Sequence, residues 1–274
     1  MGLLSVFKEA LVLLRDEPKI FLPRIFTTAL YTVFLLYSAK LAVDLTKAIN
    51  SEISMAASLG VAPNLGRALN QFTGALISYL VFFLFVYGVD ILSYGMYVRI
   101  VADYHKKEPI FLLRALKEAV SRIKTLFALG LVVLAFSAIF LILYGIIGSA
   151  YASTGHWIFS IMVLAVLLAA IISFAFLFFF AVPVAMIKKC GVAETLRMSM
   201  NLGLKYKGPV LKTNFLFAGL VLLTLLVAMY SEFKGAVGIA AAAVFILGRL
   251  FQAVVYTYIS VVNPAVYLHF EGER

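Results

Sequence analysis

Charged residues are scarce in this sequence: Asp, Glu, Lys and Arg make up 13% of its 274 residues, where a soluble domain carries roughly a quarter. With 64% hydrophobic residues and a mean hydropathy of +1.06, a water-soluble globule would expose more apolar surface than such proteins tolerate. Hydrocarbon is the solvent this chain requires. Cysteine is nearly absent too. The lone Cys190 excludes any intrachain disulfide and, flanked by Lys188 and Lys189, reads as an ordinary loop thiol. Histidine is limited to His105, His156 and His269, with no HExxH-type pair on one helix, so neither a metal site nor a cofactor is expected. Missing as well are a Gly-x4-Gly-Lys-Ser/Thr phosphate loop, a GxSxG nucleophile elbow and paired aspartates near a membrane surface. Their absence leaves no basis for an ATPase, a serine hydrolase or a metal-dependent phosphotransferase, and no catalytic residue is assigned.

What the chain does have is long apolar runs. A membrane-crossing helix needs about 20 mostly apolar residues, and six stretches reach that length: roughly 20–43, 72–101, 125–150, 157–187, 210–230 and 236–268. Lys8, Glu9, Arg15, Asp16 and Glu17 interrupt any apolar core at the amino terminus, so the first stretch is expected to be a retained span and not a cleaved secretory signal. Net charge is +10. The cations cluster between the apolar runs, which points to an anionic lipid surface as partner and away from nucleic acid. Eighteen Lys and Arg fall in residues 1–24, 99–124, 188–212 and the tail, against four on the alternate side (Lys40, Lys47, Arg67 and Lys234). That asymmetry predicts a multi-pass cell-membrane protein with both termini cytoplasmic. Trp157, beside His156, reads as an anchor at the outer headgroup level.

The basic segments are themselves patterned. Leu3, Leu4, Phe7, Ala10, Leu11 and Leu14 recur at helical spacing opposite Lys8, Glu9, Arg15 and Asp16. Leu112, Leu116, Ala119, Val120 and Ile123 oppose Arg114, Lys117, Glu118, Ser121 and Arg122; Val192, Leu196, Met200 and Gly203 oppose Glu194, Arg197, Asn201 and Lys205. Each predicts an amphipathic helix on the inner interface, with Lys117, Arg122, Arg197 and Lys205 placed to contact anionic headgroups. The fold class expected is therefore an all-α integral membrane domain, 1–274. Six spans form three hairpins, each preceded by an interfacial helix, in units of about 1–101, 108–187 and 191–268. Lys8-Glu9-Ala10 recurs as Lys117-Glu118-Ala119, and returning spans end alike at Pro183-Val184-Ala185-Met186 and Pro264-Ala265-Val266-Tyr267, which suggests a triplicated unit.

The amphipathic start running into Pro23 and Arg24, and the span ending at Pro183 before the Glu194, Leu196, Ser199 segment, carry a resemblance. The chain resembles a broad group of six-span prokaryotic membrane proteins that includes the membrane domain fused to some glycerophosphodiester phosphodiesterases. The resemblance implies a helical membrane bundle. It supplies no reaction or site residues, and the soluble phosphodiesterase domain of the fused members has no counterpart in this sequence. Lys107 and Arg114 have the Lys-x6-Arg spacing of membrane phosphatases of the phosphatidic acid type, but Ala115 stands where that motif has proline and its histidine motifs do not follow, so the spacing is chance.

Two ionisable residues lie deep in apolar runs, Asp90 and Arg249. Each costs about 2.5–3.5 kcal/mol at a helix centre on the insertion scale, so each should face protein or water. Asp90 precedes Arg99 by nine residues, or about 13 Å of helix; Arg249 follows Lys234 by fifteen, or about 20 Å. The depths are compatible with a pair. Tyr87, Asp90, Tyr94 and Tyr97, with Ser93 beside them, form one polar stripe; Arg249, Gln252, Tyr256, Ser260 and Asn263 form another. Either the stripes border a solvated or headgroup-sized cavity, or they hold two helices in register through a neutralising pair and interhelical hydrogen bonds. Gly235, Gly238 and Ala240 to Ala243 form a small-residue surface for close packing within the chain or against a second copy. The function expected is a non-enzymatic membrane protein that handles lipid or another amphiphile or supports a protein partner. The alternative is a secondary transporter or channel along Asp90 and Arg249.

Overall fold

The computed structural model describes residues 2–62, 64–155, 157–233 and 239–271. His156, Lys234, Gly235, Gly238 and Arg274 lie outside the described residues, as do the side chains of Arg67 and of Ala240 to Ala242. The described chain is helical, with no strand among the described residues: α1 (Leu3–Asp16), a 3-10 turn (Pro18–Phe21), α2 (Leu22–Leu59), α3 (Leu65–Gln71), α4 (Thr73–His105), α5 (Leu112–Ser121), α6 (Ile123–Thr154), α7 (Trp157–Leu177), α8 (Ala181–Ile187), α9 (Val192–Lys205), α10 (Lys207–Phe233) and α11 (Ile239–Glu271). Six helical segments are long and apolar enough to cross a membrane, as the hydropathy pattern predicts.

Leu141, Ile142 and Trp157 are 70%, 62% and 68% exposed, a display suited to hydrocarbon and not to water. Consecutive long helices pack on one another (α2 on α4, α6 on α7, α10 on α11), and α11 also lies against α2 and α4. The core gathers at the end where α1 meets the last turns of α4 and α11: Val6, Ala10, Leu13, Ile20, Tyr97, Ile100, Val184, Val261 and Val266 are buried there together.

One span outruns its expected boundary, and another keeps its bounds but is broken within them. The first helix does not stop near 43 but runs to Leu59, because residues 44–59 contain neither Gly nor Pro. Gly60 ends it in the left-handed conformation (φ 66°), with the Val61 amide donating to the Ala56 carbonyl at 3.0 Å, a Schellman closure. Its 38 residues make about 57 Å of helix, nearly twice the ~30 Å hydrocarbon thickness, so α2 projects beyond the apolar layer.

The fourth span keeps its expected bounds, Trp157–Ile187, but its helix is interrupted between α7 and α8. Pro183 has no N–H for the Phe179 carbonyl one turn earlier, and its ring crowds that carbonyl. The groups released are both satisfied by side chains: Asn263 Nδ2 donates to the Phe179 carbonyl at 2.6 Å, and the Phe180 amide donates to Ser199 Oγ at 3.2 Å. The break is thus clamped from α11 and α9.

The short helices bury narrower faces than their apolar stripes suggest. On α9 the buried residues are Thr195, Ser199 and Gly203, while Met200 and Leu204 are exposed. The inward face is the small one because a Cβ at Gly203 would lie 2.7 Å from the Phe176 carbonyl oxygen of α7. On α5, Ala115 and Ala119 face inward and Leu113, Leu116 and Val120 outward; on α1, Val6, Ala10, Leu13 and Leu14 are buried and Leu4 and Leu11 exposed.

Two lysines adopt positive φ, Lys107 (58°) and Lys189 (56°), each the second of a Lys-Lys pair just past the end of α4 or α8. At Lys107 the Glu108 amide donates to the Asp103 carbonyl at 2.9 Å, so lysine occupies the cap position that glycine favours. The left-handed conformation costs an L-residue about 1–2 kcal/mol, offset in part by the extra chain entropy of glycine. Lys107→Gly is therefore expected to stabilise the protein by about 0.5–1 kcal/mol, seen as a higher midpoint of thermal unfolding in detergent.

Candidate intramembrane binding site

A cavity of about 440 Å³ lies between α2, α4 and α11. Three charged side chains border it, Arg24, Asp90 and Arg249, with the hydroxyl-bearing Thr28, Tyr31, Tyr94, Tyr256 and Ser260 among them. Asp90 does not pair with Arg249. Its partner is Arg24, whose Nη1 donates to Asp90 Oδ1.

Arg24 is held on every side. Nε and Nη2 donate to Ser260 Oγ at 3.0 and 2.7 Å, and the guanidinium carbon lies 5.5 and 5.9 Å from the ring centroids of Tyr94 and Tyr97. Ser260 in turn donates to the Tyr256 carbonyl at 2.7 Å, the habit of a helical hydroxyl bonding back one turn. Only 7% of Arg24 is exposed. The local reason is the entry of α2: the fully buried Tyr97 donates its hydroxyl to the Ile20 carbonyl at 2.8 Å, so α2 begins beside the interior of α4 and not at its tip. A residue two positions into the helix is thereby level with Asp90.

Arg249 has a different environment. Its Nη1 donates to Gln252 Oε1 at 2.7 Å, one turn along the same helix, and its guanidinium lies 5.2 Å from the Phe245 ring centroid. Among the described residues no carboxylate lies within ion-pair distance of it. Arg249 and Thr28 also border a second, apolar groove of about 250 Å³, formed by Ile25, Ala29 and Thr32 of α2 and Phe245, Ile246, Leu250 and Ala253 of α11. One guanidinium thus stands at the junction of a polar cavity and a greasy groove.

Of the ten residues in the two polar stripes, Asp90, Tyr94, Arg249, Gln252, Tyr256 and Ser260 line the cavity, while Tyr87 donates instead to the Gly130 carbonyl at 2.9 Å. Ser93 and Tyr97 are buried away from it, and Asn263 points instead to the α7–α8 break. Those three do not border the cavity. Their spacing puts them on the right helices, but a stripe spanning four turns passes from the cavity into the packed end of the bundle. Among the four cations assigned to headgroups, Lys117 and Arg197 are exposed; Arg122 donates to the Lys189 carbonyl at 3.2 Å, and Lys205 pairs with Glu271 at 3.1 Å.

Sequence reasoning missed the α2 wall. Arg24, Thr27 or Thr28, and Tyr31 recur at steps of three or four, the same signal that singles out the other two stripes, but Arg24 is read as a border cation when the span is assumed to begin at the surface. Beneath the cavity, a cluster at the start of the α4–α5 connection ties Arg99 to Asp103, Glu118 and Glu108 at 2.7, 3.3 and 3.6 Å, fastening α5 to the bundle. Compared with known proteins, the chain matches no family model, no curated protein and no solved structure.

Proposed function

We propose that the protein is a non-enzymatic cell-membrane protein that binds a lipid or similar amphiphile, the head in the polar cavity and the chain in the adjoining α2–α11 groove. The observation that carries this reading is the sharing of Arg249 and Thr28 by the two hollows. A ligand with one polar and one apolar end satisfies both at once, whereas a small solute leaves the groove unexplained. Ile246 and Leu250 at the groove are 56% and 47% exposed, so a chain enters sideways from the hydrocarbon without first crossing water. The cavity's carboxylate, Asp90, is engaged by Arg24, which argues against proton relay and acid–base catalysis there.

In the same reading the chain forms three hairpins, each introduced by an amphipathic helix (α1, α5, α9) on the cytoplasmic interface, with both termini inside. Supporting it, each of these helices leaves leucine in the open beside its cations: Leu4 and Leu11, Leu113, and Leu204 are 54–69% exposed. Membrane lipids are the partners this arrangement needs.

The test is a diacyl phospholipid bearing a photoreactive group in its chain, incorporated with the full-length protein into nanodiscs. Adducts are expected on the peptides containing Ile25 to Thr32 and Phe245 to Ala253, several-fold above those on the lipid-exposed stretch around Leu141, and filling the groove with Ala29→Trp should remove them. Uniform labelling of all apolar surfaces would refute the site. Solute or proton flux in proteoliposomes that disappears in Asp90→Asn would instead establish the transporter alternative.

A further inference from the structure

We infer that the ligand of this cavity carries a net negative head, and that Arg249 is the residue that binds it. The inference rests on the amphiphile reading above and adds the charge of the headgroup to it. Of the three charged side chains at the cavity, Arg24 and Asp90 cancel: the guanidinium is committed to the carboxylate and to Ser260 Oγ and is enclosed by Tyr94 and Tyr97. They form a closed unit with no surplus charge. Arg249 remains, a guanidinium that donates to the neutral Gln252 and whose side chain borders the cavity. An intramembrane guanidinium with no carboxylate within ion-pair distance among the described residues draws its counter-charge from what occupies the site.

The chemistry of the wall agrees. Guanidinium presents five donors in a planar fork matched to two oxygens of a phosphate or carboxylate, and Gln252 Oε1 takes one of them. Thr28, Tyr31 and Tyr256 set hydroxyls around the same space, further donors to an oxyanion. At about 440 Å³ the cavity has room for a phosphodiester head. A trimethylammonium head gains nothing from the guanidinium and is repelled by it. Phosphate reaches this position either on a lipid whose chain lies between Ile25, Ala29, Ile246 and Leu250, or as a free ion from the aqueous side.

Full-length protein in nanodiscs of equal phosphatidylglycerol and phosphatidylcholine, extracted gently and assayed for co-retained lipid by native mass spectrometry, separates these cases. Wild type is expected to retain phosphatidylglycerol at least fivefold over phosphatidylcholine. Arg249→Gln should bring the ratio within twofold of the bulk mixture, Arg249→Lys should keep most of it, and Lys47→Gln, an exposed cation that does not border the cavity, should leave it unchanged. Arg249→Gln gives up the bond to neutral Gln252 and the contact with Phe245 but removes an intramembrane charge and strands no opposite charge, so its thermal midpoint should not fall below wild type, and Arg249→Lys provides a second, still cationic variant. Equal retention of both lipids, with the groove still labelled by the photoreactive chain, would overturn the anionic head while leaving amphiphile binding intact. No retention and no groove labelling would instead remove the amphiphile reading itself. Enrichment lost equally in Lys47→Gln would assign it to general surface charge and overturn the role of Arg249. Saturable, Arg249-dependent binding of inorganic phosphate to delipidated protein, without lipid enrichment, would uphold the anion site and identify the free ion as its source.

Discussion

Arg24→Met is expected to destabilise the protein by about 3–5 kcal/mol, the range for removing one member of a buried ion pair. The methionine retains most of the side chain's bulk, so the loss comes from what is left behind. Asp90 keeps a carboxylate inside an apolar helix with no partner, Ser260 Oγ loses two donors, and Tyr94 and Tyr97 lose the cation they enclose. Asp90 is the more accessible partner, its side chain 28% exposed toward the cavity, so some water reaches it and the effect belongs at the lower end of that range. Asp90→Asn should cost less, near 1–2 kcal/mol, since asparagine still accepts from Arg24 and the stranded cation has Ser260 to bond. The double variant Arg24→Met, Asp90→Leu should recover much of the loss, because two charges leave the membrane interior together. The cycle is read from equilibrium unfolding in mixed micelles, with helix content by circular dichroism as the signal. A loss below 1 kcal/mol in Arg24→Met, or a double variant as unstable as the sum of the singles, would mean that the pair does not hold α2 to α4. Arg249→Gln sets the contrast: two arginines lining one cavity, one whose removal cripples the fold and one whose removal the fold tolerates.

That contrast also marks what the sequence makes legible. The number of apolar helices and the positions of Asp90 and Arg249 follow from hydropathy and helical spacing alone, because an apolar run of sufficient length has one stable backbone in hydrocarbon. The partner of Asp90 does not follow. Depth along a helix is counted from an assumed surface, and here the Pro18–Phe21 turn starts α2 beside Tyr97, so Arg24 enters at the level of Asp90. The length of α2 is legible in hindsight from the lack of Gly or Pro before Gly60, since a polar helix persists beyond the membrane when nothing stops it. The α7–α8 break is signalled by Pro183, but not the identity of its clamps: that Asn263 and Ser199 serve the break and not the cavity depends on the rotation of α11 and α9, set by packing. The buried faces of α5 and α9 escape hydrophobic periodicity for a related reason. Where helices meet closely, small residues face inward and leucines are left for lipid, reversing the rule that serves soluble proteins.

Gly203 is where that reversal has its largest expected consequence. A Cβ there would stand 2.7 Å from the Phe176 carbonyl oxygen, with the Phe176 Cα and carbonyl carbon at 3.2 and 3.3 Å. The obstacle is backbone on α7, so no rotamer change relieves it, and α9 must lift away. One turn back on the same face, Ser199 Oγ accepts the Phe180 amide at 3.2 Å, and a further turn back Thr195 is fully buried. Lifting α9 by even half an ångström at Gly203 therefore strains the clamp on the α7–α8 break and begins to unpair an amide where no water replaces the lost acceptor. Overpacking costs about 1–3 kcal/mol and a buried unpaired donor about as much again, so Gly203→Ala is expected to lose about 3 kcal/mol and Gly203→Val more. Gly95 supplies the comparison. A Cβ there would meet Leu126 Cδ1 at 2.8 Å, nearly the same distance, but that atom is the far end of a side chain able to turn aside, and Gly95→Ala should lose about 1 kcal/mol. Cys190 reports the motion independently, since its Sγ lies 3.2 Å from Thr195 Oγ1 at the start of α9. Maleimide labelling of this single thiol should quicken several-fold in Gly203→Ala and stay at the wild-type rate in Gly95→Ala. Equal losses in the two alanine variants, with Cys190 labelling unchanged, would show that α9 does not depend on backbone contact with α7, and the close approach at Gly203 would then carry no stability.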